Sequence, residues 1–320
     1  MNKKTFFIFL ASLCLAVVGF YSWWTQAISP VSPSSQEIQL FNIPQGWGVD
    51  QIAQELEEEG LIKNKAIFKI MVLKQGISQD LQAGSFYLSP SLNLTELTQK
   101  LTHGTQDIRV LIPEGVRKEE IATRIAQAFN EAGSQFNQQK FLQKTNHLEG
   151  YLFPDTYLFP KQATVEEIIK ILTNNFEVKS HTWINKTALN QQQIVTLASL
   201  VEREAKYEKD RSLIAGVLMK RLREGWPLQV DASIQYFKAE KENWWPKVSP
   251  LDLEVDSSYN SYQNLGLPPT PICNPGLASL QAAAAPQESE YWFYLSDSSG
   301  QIHYARTHEE HQQNIEKYLN

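Results

Sequence analysis

The feature that most restricts this chain is an uncharged run at residues 6–24 (FFIFLASLCLAVVGFYSWW), preceded by Lys3 and Lys4. At a helical rise of about 1.5 Å per residue it covers about 28 Å, close to the hydrocarbon thickness of a bilayer. A cleaved signal peptide has a shorter apolar core and small residues at its cleavage point. This run is long and ends in Tyr21, Trp23 and Trp24, side chains that favour the membrane interface. The sequence therefore predicts a retained single-pass anchor over residues 5–25, with residues 1–4 in the cytoplasm. The lysines before the span, and the lack of a later apolar run of that length, put the remainder outside the cytoplasmic membrane. Leu13 stands before Cys14 where a lipobox needs a small residue, so a lipoprotein is not expected.

The chain of 320 residues is long enough for about two domains. At 42% hydrophobic and 11% aromatic it is not a disordered polymer. Of the 29 basic residues, two precede the anchor, leaving 27 against 35 acidic ones. That balance excludes a nucleic-acid binder, which needs a basic footprint to displace counterions. Of the 2 cysteines, only Cys273 lies beyond the anchor, so no intrachain disulfide can form there and burial alone has to hold the core.

Residues 26–37, rich in Ser and Pro, read as a linker lifting the folded part off the membrane. An internal repeat follows. Ile43-Pro44-Gln45-Gly46, then five residues, then Ile52-Ala53-Gln54-Glu55-Leu56 is matched by Ile112-Pro113-Glu114-Gly115, five residues, and Ile121-Ala122-Thr123-Arg124-Ile125. Each copy follows a strand-like run, so each predicts a strand–turn–helix unit; structural economy explains the repetition better than chemistry does. Residues 83–88 read as a further strand and 93–103 as a short helix. Helices are expected over 165–176, 191–207 and 209–224, strands near 291–295 and 302–305, and a polar helix from Thr307. The fold class is α+β.

No nucleophile elbow, Walker loop, dinucleotide fingerprint or zinc-spaced Cys pair occurs. The histidines are His103, His147, His181, His303, His308 and His311. The last two lie three apart where a zincin needs four, so the segment reads as a solvated helix face and no metal is expected. The helix at 191–207 says more. Ile194, Ala198, Val201 and Ala205 centre an apolar stripe; Arg203 points away from it, and Glu202 and Glu204 fall on opposite flanks, each about 80° from the centre. A carboxyl at such an edge is partly desolvated and can hold a proton near neutral pH, as a general acid must. Periodicity does not choose between the two. Downstream, Gln229, Asp231, Ser233, Asn260 and Tyr262 suit recognition of a hydroxyl-rich ligand, and Trp226, Trp244 and Trp245 could offer flat faces to sugar rings, although core packing is the ordinary role of a tryptophan.

These residues bring a resemblance. LEGYLFPDTY at 148–157, ASLVEREA at 198–205, AGVLMKRLREGWPLQVDASIQY at 215–236, YNSY at 259–262, GLPPTPICNPGLASLQAA at 266–283 and the spacing His303…Thr307…His311 resemble the endolytic murein transglycosylase family (MltG, or YceG-like) over almost the whole chain. The resemblance implies a LysM-like β/α subdomain at 38–105 and a mixed α+β catalytic domain at 106–320. It implies cleavage of the β-1,4 bond between N-acetylmuramic acid and N-acetylglucosamine inside nascent glycan strands, leaving 1,6-anhydromuramyl ends and ending strand elongation. It makes the first glutamate of the motif, Glu202, the single acid and base. Gln229, Asp231, Ser233, Asn260 and Tyr262 are then expected to hold the sugar, with no metal and no cofactor. Peptidoglycan strands are the implied partner, with peptidoglycan synthases as further partners that no residue reveals. One carboxyl suffices because the C6 hydroxyl of the substrate attacks in place of water. A non-catalytic wall-binding scaffold, or a muramidase that admits water, are the alternatives.

Overall fold

The computed structural model describes the backbone of residues 3–102, 107–181, 183 and 185–319, with side chains from residue 15 onward; His103 lies outside the described residues. The chain divides into two compact units, Met1–Arg109 with Tyr157–Ala163, and Val110–Thr156 with Thr164–Asn320.

The first unit opens with α1 (Lys3–Ala27). Strands β1 (Gln39–Ile43) and β2 (Gly84–Leu88) pair antiparallel with Phe41 opposite Phe86. Helices α2 (Val49–Glu58), α3 (Lys65–Gln75) and α4 (Leu94–Thr102) cover them. Phe41, Leu56, Phe68, Leu88 and Leu97 form a dry centre with no exposed surface, the burial that has to stabilise a unit lacking disulfides. Asn64 caps α3 by accepting from Ala66 N–H and Ile67 N–H, and Gly76 ends it at φ +70°.

Two expectations meet the structure here. Among the described residues no helix is long and apolar enough to cross a membrane. Of the nineteen residues of the uncharged run, the nine at 6–14 have side chains outside the described set. The structure therefore does not supply the anchor that the sequence predicts. The segment read as a spacer, residues 26–37, makes contacts within the first unit. Ile28 and Ala27 pack on the core, Leu94 N–H donates to the Ile28 carbonyl (2.9 Å), and Ser32 N–H donates to the Pro90 carbonyl (3.0 Å). Backbone groups given partners in this way are tied down.

The second unit holds α5 (Lys118–Glu131), α6 (Gln138–Lys144), α7 (Val165–Ser180), α8 (Gln191–Glu204), α9 (Glu208–Arg223), α10 (Asp231–Lys238), α11 (Leu277–Ala284) and α12 (His308–Tyr318). Strands β5 (Phe293–Ser296) and β6 (Ile302–Ala305) form an antiparallel hairpin. The division between the units falls within β3 (Asp107–Leu111) and β4 (Thr156–Pro160), which form another two-stranded sheet. Helix α8 is the axis of the second core. Every residue from Ile194 to Val201 is buried, because α9, α10 and α11 pack around it. Small residues make this possible: Ala282, Ala283 and Ala284 line α11, and a side chain at Gly216 of α9 would collide with the Gln287 carbonyl.

Both repeat units form as expected. β1 runs through Gly46 (φ +90°) into α2, and β3 runs through Gly115 (φ +75°) into α5. In each, the side chain three residues into the helix reaches back: Gly48 N–H donates to Gln51 Oε1 (2.8 Å), and Arg117 N–H to Glu120 Oε2 (3.1 Å). The glycines carry the conformation that other residues rarely adopt.

Candidate active site

Helix α8 ends at Glu204, and the backbone turns extended at Ala205. Its last turn therefore presents Glu202 and Glu204 to different surroundings, as two steps of about 100° require.

Glu204 lines a groove of about 950 Å³ together with Gln229, Asp231, Tyr262, Tyr294 and Trp226. The Tyr294 hydroxyl donates a hydrogen bond to its carboxylate. Burial is the main force on this group and raises its pKa to about 7; the charge of Asp231 pushes the same way, while the Tyr294 hydrogen bond, Arg203 and Arg221 hold it back. Across the groove, the Tyr262 hydroxyl donates to Asp231 Oδ1 (2.6 Å) at the start of α10. Gln229 takes the left-handed conformation (φ 53°) and is fixed by its N–H to the Ser261 carbonyl (3.0 Å). A non-glycine residue in that region is held there by its surroundings and is worth a functional hypothesis. Arg221 lies buried near the floor and donates to the Leu228 carbonyl (2.6 Å) and twice to the Trp292 carbonyl (2.9 and 2.7 Å).

Glu202 sits differently. Its side chain is 5% exposed; Oε1 accepts from Arg211 Nη2 (2.9 Å) and Oε2 from Gly276 N–H (2.9 Å). Gly276 caps the N-terminus of α11, where a carboxylate is favoured by the helix dipole. The second repeat turn closes over the pair: a Cβ at Gly115 would come into van der Waals contact with the Glu202 and Arg203 side chains, and Glu114 stands 3.5 Å from the same Arg211 nitrogen. Burial, then the Glu202 charge, raise the Glu114 pKa. Both oxygens of Glu202 are thus engaged within the protein, and it is not among the residues that line the groove. Glu202, the acid that the resemblance implies, thus lies against Arg211 and Gly276, and of the two flanks of α8 the groove opens at Glu204.

The other expected site residues separate into two groups. Gln229, Asp231 and Tyr262 meet at the groove. Ser233 and Asn260 are fully buried and do not reach it. The Ser233 hydroxyl donates to the Val230 carbonyl (2.7 Å) and pairs with the Ser261 hydroxyl (2.9 Å), while Asn260 donates to the Leu253 and Val255 carbonyls (3.0 and 2.7 Å). They brace the loops that carry Gln229 and Tyr262. Trp226 is the groove tryptophan, its ring tilted against that of Trp292 with centroids 4.5 Å apart. Trp245 instead lies under the Arg203 guanidinium (3.7 Å), and Trp244 faces Arg117 (5.3 Å).

Sequence reasoning overlooked three features. His308 and His311, read as a solvated face, line the groove from α12; burial lowers the His311 pKa, and its ring stacks on Phe293 at 5.2 Å. Their spacing of three puts them on one face, which was the available signal. Glu114 was hidden in a repeat whose local role is a turn. Glu149, inside LEGYLFPDTY, is buried against Lys118 N–H (3.1 Å) and Asn274 Nδ2 (2.8 Å), and burial raises it to about 7. Asn274 also accepts from Gly150 N–H and Leu152 N–H (2.9 Å each), so that motif is bound to the PICNPG segment and serves the core. Among the described residues no three His, Cys, Asp or Glu side chains converge as a metal site needs.

A model of the YceG-like family matches residues 41–317. The endolytic murein transglycosylase of Bacillus subtilis is 33% identical over 95% of this chain and 91% of its own length. That of Streptococcus pneumoniae is 28% identical over 99% of this chain, which spans 65% of the pneumococcal protein. A YceG-like protein of Listeria monocytogenes, known from a crystal structure, shares 29% identity and a TM-score of 0.55 over 87% of this chain and 99% of its own.

Proposed function

This chain belongs to the YceG-like family, and from that premise we propose that it is a murein transglycosylase, a lyase of peptidoglycan, that works through Glu204. The reading rests on one observation: Glu204 at the end of α8 lines a groove of about 950 Å³ together with Gln229, Asp231, Tyr262 and Trp226, where burial raises its pKa to about 7. The protonated carboxyl gives its proton to the glycosidic oxygen as the C1–O bond of the N-acetylmuramic acid residue breaks. As carboxylate it then takes the proton from the C6 hydroxyl of the same residue. The oxygen of that hydroxyl closes on C1 to form the 1,6-anhydro ring. One group serves both steps, and the tethered hydroxyl gains from its high effective concentration. Asp231 with Tyr262, and Gln229, face the same space and are assigned to holding the glycan. Trp226 offers a ring face.

A muramidase reading draws on Asp231, a second carboxylate in the groove that could activate water. Mass spectrometry of glycan strands digested by the purified protein separates the readings. Anhydro ends are expected; reducing ends would favour water as the attacking group, and binding without cleavage would leave only a wall-binding scaffold.

The location follows the same proposal. The uncharged run at residues 6–24 would anchor the chain in the cytoplasmic membrane with both units on the outer side, and the first unit would be the LysM-like part. The support is the sequence of the run.

A further inference from the structure

Helix α3 has a face that the activity does not use. Ile67, Phe68, Met71 and Val72 point into the core of the first unit, but Ile70 and Leu73 are 48% and 70% exposed on the opposite side. Lys74 shares that side, since it follows Ile70 by four residues. This face adjoins the end of α1. The Lys74 ammonium lies 5.5 Å over the Trp24 ring, and Lys63 Nζ donates to the Gln26 carbonyl (3.2 Å) and the Ser29 hydroxyl (2.7 Å). Among the described residues neither lysine pairs with a carboxylate, whereas Lys65 and Lys69 pair with Glu57 and Asp50 of α2. One turn back along α1 from Trp24, Tyr21 is also exposed.

We propose that this face, made by Tyr21, Lys63, Ile70, Leu73 and Lys74, rests on the anionic headgroup surface of a lipid bilayer. Tyr rings favour the headgroup level, lysines extend their ammonium groups to anionic headgroups, and exposed aliphatic side chains between them enter the boundary. Two observations select lipid as the occupant. The two lysines without carboxylate partners give the patch positive charge in a chain of net charge −6. The patch is also continuous with the helix that carries the uncharged run, and no slack separates them: Ile28 and Ser32 are already bonded to Leu94 and Pro90. A bilayer entered by α1 is therefore met at once by α3, and the first unit lies on the membrane instead of standing off from it. This inference rests on the anchor reading given under Proposed function.

The test uses the full chain in lipid nanodiscs with a fluorescent label at Leu73→Cys in a Cys14→Ser background; Cys273 is buried. A second label, at Val17→Cys, reports on α1. Headgroup spin-labelled lipid should quench the Leu73 label at least threefold in anionic discs. Lys63→Glu with Lys74→Glu, or wholly zwitterionic lipid, should cut that quenching by half or more. Quenching of the Val17 label by acyl-chain spin labels without quenching at Leu73 would overturn the docking and leave the anchor standing. Quenching at Leu73 without quenching at Val17 would support the docking and remove the anchor. A Leu73 label shielded from water yet untouched by spin-labelled lipid, as when a second copy of the chain covers it, would also overturn the proposal.

Discussion

The two flanks of α8's last turn carry the same side chain and differ in everything around it. Glu202 meets a guanidinium, a helix N-terminus and a closing turn, so its charge is answered inside the protein. Glu204, two residues on, meets a tyrosine hydroxyl, a neighbouring aspartate and open groove, and burial leaves it near pKa 7. The proposed division between an anchoring and a reactive carboxylate rests on the partner set that tertiary packing supplies; residue type and helical position are almost constant.

The largest expected effect lies on the Glu202 side. Arg211→Ala strands two carboxylates, one of them buried, and removing one partner of a buried pair costs about 3–5 kcal/mol. Urea unfolding should show that loss, and activity scaled to folded protein should change little. If activity collapses while stability holds, the division of labour is wrong.

On the Glu204 side, kcat/KM should fall about tenfold per pH unit above 7, because the free enzyme needs its proton. Glu202→Gln should keep that limb. Stability has the matching sign. A carboxyl whose folded pKa is raised from 4.5 to about 7 contributes stability that is fully present below 4.5 and is lost as pH rises through 7. Glu204 and Glu149 both behave in this way. Titrating stability from pH 4.5 to 8 should show that decline, and Glu149→Gln should flatten part of it without moving the activity limb.

A smaller effect is expected from Tyr262→Phe. It deletes a 2.6 Å hydrogen bond to Asp231 in a partly exposed place, worth about 1 kcal/mol. A several-fold rise in KM with nearly unchanged stability would fit a residue that holds glycan. A change in stability alone would assign Tyr262 to the loop.

Much of the second unit was legible because its helices carry their own periodicity: α7, α8, α9 and α12 fall within a few residues of expectation, and the strand–turn–helix repeat announces itself through Gly46 and Gly115. The opposite placing of the two glutamates followed from the helical wheel. Which of them faces the groove did not, because Arg211, Gly276 and Tyr294 arrive from elsewhere in the chain, and a wheel sees only its own helix. Ser233 and Asn260 show the same limit: polar residues in a recognition-like stretch are buried as loop braces. Composition suggested a loose spacer at 26–37, yet Leu94 and Pro90 hold it by backbone bonds that composition does not encode. Helix α3 was missed since apolar residues occupy both its faces, which blurs the period of 3.6.

The most direct measurement counts 1,6-anhydro ends released from glycan strands by the wild-type protein, Glu204→Gln and Glu202→Gln, each corrected for its folded fraction. Loss of a positioned acid lowers the rate by about 10²–10⁴-fold, so Glu204→Gln should fall by that much while Glu202→Gln keeps most of its rate. The reverse ranking, or wild-type release from Glu204→Gln, would contradict the account.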